Sequence, residues 1–217
     1  MFEDREDAAR RLAEALSAWR GRDPLVLAIP RGAVPMGRVL ADELGGELDV
    51  VLVRKLGAPY QPELALGAID EQGALQWTPG LGPSAADPMW LEHEKITQLD
   101  LMRARRERYR RCKPAIDAAG RIVIVVDDGL ATGSTMAAAL LAIRARNPQQ
   151  LICAVPVAAR ASLARVRPLC DEVVCLETPE PFHAVSQAYR HFEQVDDEEV
   201  ERVLAPGAGS DPQGNED

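Results

Sequence analysis

Several common signatures are missing from this sequence, and each absence removes a class of function. No apolar run approaches the roughly 20 residues that a helix needs to cross a bilayer, and the charged, amphipathic start MFEDREDAARRLAEAL lacks the apolar core of a secretory signal. The four cysteines (Cys112, Cys153, Cys170, Cys175) form no C-x-x-C pair and have no histidine partner at zinc spacing. Neither G-x-x-x-x-G-K-[ST] nor G-x-G-x-x-G occurs, so neither a Walker loop nor a dinucleotide fingerprint is present. Positive charge is outweighed as well: 25 basic residues stand against 34 acidic ones, a net charge of −9. That balance provides no field to draw in nucleic acid or an anionic membrane. The expectation is a cytoplasmic protein with reduced thiols and no nucleic-acid or membrane partner.

What is present is an apolar content of 47%, enough for a substantial core, and a rhythm of short apolar runs separated by helical patterns. Residues 3–19 place Ala9, Leu12, Ala13, Leu16 and Trp19 at helical spacing. LVLAI (25–29) and DVVLV (49–53) read as strands covered on both faces. Between them lie PRGAVP (30–35) and a helix that Gly45 and Gly46 stop. The second run leads straight into Arg54 and Lys55. The rhythm then breaks: 63–69 and 74–78 form a hairpin around Gly73, followed by a Gly/Pro-rich stretch to residue 88 and a long helix over 88–112. It resumes with strands at 121–126, 151–157 and 172–176, helices at 136–146 and 161–169, and a short acidic-start helix at 196–204. Cys153, inside LICAVPV, reads as a small core residue. The pattern predicts an α/β fold: one domain over 1–204, a mostly parallel twisted sheet with helices on both faces, and a disordered tail over 205–217. Ligands of such sheets sit beyond the carboxyl ends of the strands, where the loops at 30–35, 54–57 and 127–135 should converge.

The most informative stretch is VIVVDDGLATGST (123–135). Its second half offers small residues, hydroxyls and backbone amides at the start of a helix, which suits an anion such as a phosphate. Its first half places two carboxylates side by side, which suits sugar hydroxyls or a metal. An N-cap explains one aspartate but not two followed by a seven-residue loop. A Walker B strand lacks its Walker A partner, and a receiver domain would need a late lysine, whereas none follows Lys113. A vicinal diol close to a phosphate satisfies both halves, as in a ribose 5-phosphate.

With those residues in view, VIVVDDGLATGST resembles the motif that binds 5-phosphoribosyl 1-pyrophosphate (PRPP) in type I phosphoribosyltransferases. Together with PRGAVP and VRKLGAPYQPELALGAI, it resembles a bacterial subgroup of that family. The resemblance implies a parallel sheet with a small hood and transfer of the phosphoribosyl group to a nitrogen acceptor, a base or an amine, with release of pyrophosphate. It implies that Asp127 and Asp128 bind the ribose and that Gly129, Ala131, Thr132, Gly133, Ser134 and Thr135 bind the 5-phosphate. Arg31, Gly32, Arg54 and Lys55 would face pyrophosphate. Arg31, Lys55, Asp127 and Asp128 would be the catalytic set. Mg²⁺ would be held mainly through substrate and water, with Asp127 and Asp128 as its protein ligands. A homodimer and a place in nucleotide salvage are also implied. Relatives that use 6-oxopurines carry an acid in the phosphate loop, and Ala131 stands there instead, as in adenine-type relatives.

The acceptor would lie under the hood, for which 63–78 and 180–192 are the candidates. Glu63, Phe182, His183 and Tyr189 are its candidate contacts. The run RARRERYRRCK (103–113) has seven basic residues among eleven. It fits a helix end complementing its own dipole, a subunit contact, or a closing element in which Arg103 and Arg106 reach the phosphates. Two other uses of the same site stay open: a PRPP- or nucleotide-sensing regulator, and phosphorolysis or hydrolysis of a nucleotide.

Overall fold

Three central apolar runs become strands whose side chains alternate between two cores. In β1 (Leu25–Ala28), Leu25 and Leu27 join one cluster while Val26 and Ala28 join the other. In β6 (Ile122–Val126), Ile122, Ile124 and Val126 face one side and Val123 and Val125 the opposite one. β7 (Gln150–Val157) divides likewise and buries Cys153. A strand enclosed on both faces has no polar side to show, which is why these runs lack alternating hydropathy. One core is covered by α1 (Arg5–Ala15) and α2 (Val34–Leu44), and the other by α4 (Ser134–Arg144) and α5 (Arg160–Val166). The computed structural model describes residues 1–58, 61–78, 80–82 and 86–205, with backbone alone for 61–65. The tail expected over 205–217 falls, beyond Ala205, outside the described residues.

The strands form a five-stranded parallel sheet in the order β2 (Glu47–Val50), β1, β6, β7, β8 (Glu172–Glu177). This is the expected α/β architecture. From β1 the chain departs toward one edge through α2, and from β6 toward the other through α4. The two neighbouring strands therefore part company at their carboxyl ends and leave a crevice, bordered by the loops after Ala28 and Val126.

One expectation is corrected. The run 49–53 does not continue as a single strand into Arg54 and Lys55. β2 ends at Val50, and pairing begins again at Val53 in a separate antiparallel sheet of β3 (Val53–Ala58), β4 (Gln61–Asp70) and β5 (Leu75–Trp77). The cause is the change of composition: charged side chains cannot follow Val51 and Leu52 into a sheet buried on both faces. The 63–78 hairpin forms as expected, turning at Gly73, with β3 as a third strand. Residues 180–192 contain one short 3-10 turn, Val185–Ala188, after a cis Glu180–Pro181 bond.

α3 (Pro88–Cys112) starts at Asp87, whose carboxylate accepts from the Trp90 amide at 3.0 Å. Its basic end is sorted by function. Arg110 is pinned to Asp49 (2.7 Å) and to both carboxylate oxygens of Glu71 (2.6 and 3.0 Å), joining β2, α3 and the β4–β5 turn. Removing one member of such a buried set costs about 3–5 kcal/mol, since the others lose their counter-charge. Arg106 donates to the Glu71 carbonyl at 2.8 Å, and Arg108 reaches Glu198 and Glu201 of α6 (Asp197–Leu204).

Candidate active site

At the end of β6 the two aspartates take different environments. The Asp128 carboxylate lies against the guanidinium of Arg5, whose Nε and Nη2 both donate to Oδ2, at 3.1 and 2.9 Å. Arg5 is itself held by the Glu193 carbonyl at 2.6 Å and by the Phe192 ring, 3.9 Å beneath its central carbon. Asp127 has no such partner among the described residues. It accepts from the Asp128 amide at 2.9 Å, and its carboxyl pKa is raised well above the ordinary value. Desolvation is the larger cause and the neighbouring Asp128 charge the next. A site of this kind rewards a ligand that brings hydroxyl donors or positive charge.

The backbone after the aspartates turns sharply and then opens α4. Gly133 sits at φ 72°, a conformation that favours glycine, and no side chain caps the helix. The amides of Ala131, Thr132, Gly133 and Thr135 take no partner among the described residues. Hydroxyls join them: Thr132 Oγ1 and Ser134 Oγ are 2.6 Å apart, at the positive end of the helix dipole. The loop is braced from behind, where Ser162 Oγ donates to the Ala131 carbonyl at 2.5 Å and Leu130 pairs with Ala158. Gly129 packs against Val185 and Val157, so the segment after β8 forms a wall of the same site.

Across the crevice, the Pro30–Arg31 peptide is cis, and Gly32 lies directly against Asp128. A methyl group on Gly32 would sit 2.3 Å from Asp128 Oδ2, so a side chain there would push the Asp128 carboxylate off its place against Arg5. Arg31 is half-buried, its guanidinium 3.8 Å from Asp197. Beside this loop is a cavity of about 240 Å³, lined by Pro30, Leu52, Arg54, Met102, Arg105 and Thr135 among others. Arg54 therefore borders the same cavity as Thr135 at the start of α4. Lys55 is not among the residues lining that cavity.

The structure thus brings together Asp127, Asp128, the loop from Gly129 to Thr135, Arg31, Gly32 and Arg54. It separates others. Arg103 pairs with Asp100 on the outer surface of α3, and Arg106 serves the β4–β5 turn. Tyr189 is buried against Phe2 and Phe192 and donates to the Asp128 carbonyl at 2.7 Å, so it supports the aspartate from below instead of offering a ring face. Phe182 is half-buried and His183 exposed; both line a separate cavity with Pro179, Pro181 and Gln187. The side chain of Glu63 lies outside the described residues. Arg5, Arg105 and Asp197 were not singled out from the sequence. For Arg5 a signal existed: it stands in line with Ala8, Ala9, Leu12 and Ala13, the buried stripe of α1.

The phosphoribosyl transferase domain family matches residues 2–192 of this chain. The chain belongs to that family. Two strains of Mycobacterium tuberculosis carry a protein, provisionally named a phosphoribosyl transferase, that is 43% identical over 205 residues. The match covers 94% of this chain and 46% of the mycobacterial protein, so the chain spans about half the length of those curated relatives. The crystal structure of TT1426 from Thermus thermophilus superimposes with a TM-score of 0.89 at 46% identity, covering 94% of this chain and 97% of that one. A Neisseria gonorrhoeae protein solved with bound ppGpp shares the fold at a TM-score of 0.51 and 14% identity, covering 94% of this chain and 97% of that one. Among the described residues of this phosphoribosyltransferase-family chain, no helix is long and apolar enough to cross a membrane.

Proposed function

We propose that this crevice binds PRPP and transfers its 5-phosphoribosyl group to a nitrogen acceptor, releasing pyrophosphate. The observation that carries this is the junction of Asp127 and Asp128 with the unpartnered amides at the start of α4, at the point where β1 and β6 diverge. The ribose hydroxyls donate to the two carboxylates, Asp128 offering the oxygen that Arg5 leaves free. The 5-phosphate takes the amides of Ala131, Thr132, Gly133 and Thr135 and the hydroxyls of Thr132, Ser134 and Thr135. In the reaction the acceptor nitrogen forms a bond to the anomeric carbon as the bond to pyrophosphate breaks. The bonding pair leaves with pyrophosphate and the nitrogen loses its proton. Negative charge grows on the departing group, and Arg31 and Arg54 would stabilise it there.

Mg²⁺ fits as a substrate-held ion. No group of three or more His, Cys, Asp and Glu among the described residues forms a cage, while two carboxylates border the sugar, and Mg²⁺ commonly keeps water and substrate oxygens as ligands. When bound, it would neutralise diphosphate charge, with Asp127 and Asp128 as its protein ligands. Ala131 leaves the phosphate loop without a third acid, which favours an acceptor that needs no carboxylate there to take its proton. A homodimer belongs to the same proposal; Met89 and Ile96, exposed and seven residues apart on α3, give a second copy an apolar strip to cover.

One observation keeps a regulator in play: Arg31 and Asp128 already have ionic partners within the chain. Nucleotide phosphorolysis or hydrolysis would use the same groups in reverse. The test is PRPP-dependent pyrophosphate release with Mg²⁺, screened across purine and pyrimidine bases and simple amines. Release with one acceptor class is the expected result. PRPP binding with no release on any acceptor would favour the sensor, and nucleotide cleavage without PRPP use would favour the reverse reactions.

A further inference from the structure

Asp197 is the first residue of α6 and sits where three arginines converge. Arg105 Nε lies 3.5 Å from Oδ1, and Arg31 Nη1 and Arg108 Nη1 lie 3.8 and 3.9 Å from Oδ2. None of these is within the 2.7–3.2 Å of a formed hydrogen bond. The carboxylate is fastened instead by the hydroxyl of Tyr109, a fully buried residue of α3. The guanidiniums thus share a negative charge without committing their donors to it. Arg108 has closer partners in Glu198 and Glu201. Arg31 and Arg105 have none among the described residues. Both belong to the anion side of the crevice, Arg31 following Pro30 and Arg105 lining the same cavity as Pro30, Arg54 and Thr135.

We propose that Arg105 is an anion-contacting residue of this site, and that Asp197 is an internal counter-ion which holds Arg31 and Arg105 together until a diphosphate displaces it. Three considerations support this. Two guanidiniums brought together without a counter-charge would repel one another, so a carboxylate between them keeps the empty site assembled. A diphosphate offers more charge and more acceptor oxygens than one carboxylate, and matches the planar donor forks of arginine. Arg105 is the arginine of the 103–113 run that lines the cavity, whereas Arg103, Arg106, Arg108 and Arg110 are engaged elsewhere. α3 and α6 would thus act together on the leaving group, one supplying a cation and the other the charge it exchanges.

This inference rests on the proposed placement of pyrophosphate beside Arg31. The experiment is calorimetric titration of the full chain with inorganic pyrophosphate in Mg²⁺ and, separately, with ribose 5-phosphate. R105Q should weaken pyrophosphate binding by about tenfold, the loss of one charge-assisted contact, and leave ribose 5-phosphate affinity unchanged. D197N should tighten pyrophosphate binding several-fold, because the arginines no longer have to leave a competing carboxylate. A structural role alone predicts the opposite sign for D197N. Weaker or unchanged pyrophosphate binding in D197N, or equal loss of both ligands in R105Q, would overturn the proposal. If the unmodified chain bound ribose 5-phosphate but not pyrophosphate, the placement beneath the proposal would fail with it.

Discussion

The two sides of the crevice are built on opposite electrostatic plans. On the α4 side the donors are neutral: hydroxyls that bond one another and backbone amides that, among the described residues, have no partner, shaped by the turn at Gly133. On the β1–α3 side they are charged, and Arg31 and Arg105 share a carboxylate. Neutral donors can wait at little cost because water satisfies them and nothing repels. Clustered guanidiniums cannot, and require a counter-charge in the empty state. Under the proposed function a terminal monophosphate would meet a ready-made cradle, while a diphosphate would meet a site that must exchange ions. The aspartates between the two plans repeat the contrast in miniature, Asp128 neutralised by Arg5 and Asp127, among the described residues, without a cation of its own.

The largest expected effect separates the two sides directly. Arg31→Ala should cost about 10²–10³ in turnover, the usual loss for one preorganised charge-stabilising donor, and leave ribose 5-phosphate affinity intact. Gly133→Ala should do the reverse, weakening ribose 5-phosphate most, because its φ of 72° is strained for any residue with a β-carbon. Steady-state kinetics and calorimetry on both variants check this. Equal losses of both ligands in each would erase the distinction between the sides.

A smaller effect concerns Asp127. Its carboxyl pKa in the folded chain lies above the ordinary 3.8, so the folded state holds that proton more tightly than the unfolded one. The sign follows from linkage: stability is lost as pH rises from about the unfolded value toward the raised folded one, so a deficit is present at neutral pH. Asp127→Asn should therefore raise the melting temperature at pH 7, by about 2–4 °C for each kcal/mol relieved, and the gain should shrink near pH 4. Thermal scans at both pH values measure it. A loss at pH 7 would show that the carboxylate is not a burden on the fold.

Much of this architecture was legible in the sequence because its signals are local. The runs at 25–29, 121–126 and 151–157 are strands since each is apolar throughout, and the paired aspartates and the small-residue loop follow one of them without interruption. Strand ends were harder. Arg54 and Lys55 read as the tip of a parallel strand, but they lie in a second sheet, where Arg54 lines the cavity and Lys55 does not. What could not be seen was convergence across long separations. Arg5 meets Asp128 from 123 positions away, and Arg31 meets Asp197 from the far end of the chain; neither pairing leaves a periodic trace. The basic run 103–113 shows the same limit. Its composition gave the charge, but only packing decided that Arg110 is a staple, Arg106 a hairpin clasp and Arg105 a cavity wall. Tyr189 likewise carried no mark distinguishing a ring that stacks on a ligand from one that braces the Asp128 backbone.

The most direct test of the central claim is titration with PRPP in the presence of Mg²⁺, on the unmodified chain and on the double variant Asp127→Asn, Asp128→Asn, with circular dichroism to establish that both are folded. The account predicts saturable binding to the unmodified chain and its loss in the folded double variant. Equal affinity in the two proteins would contradict it.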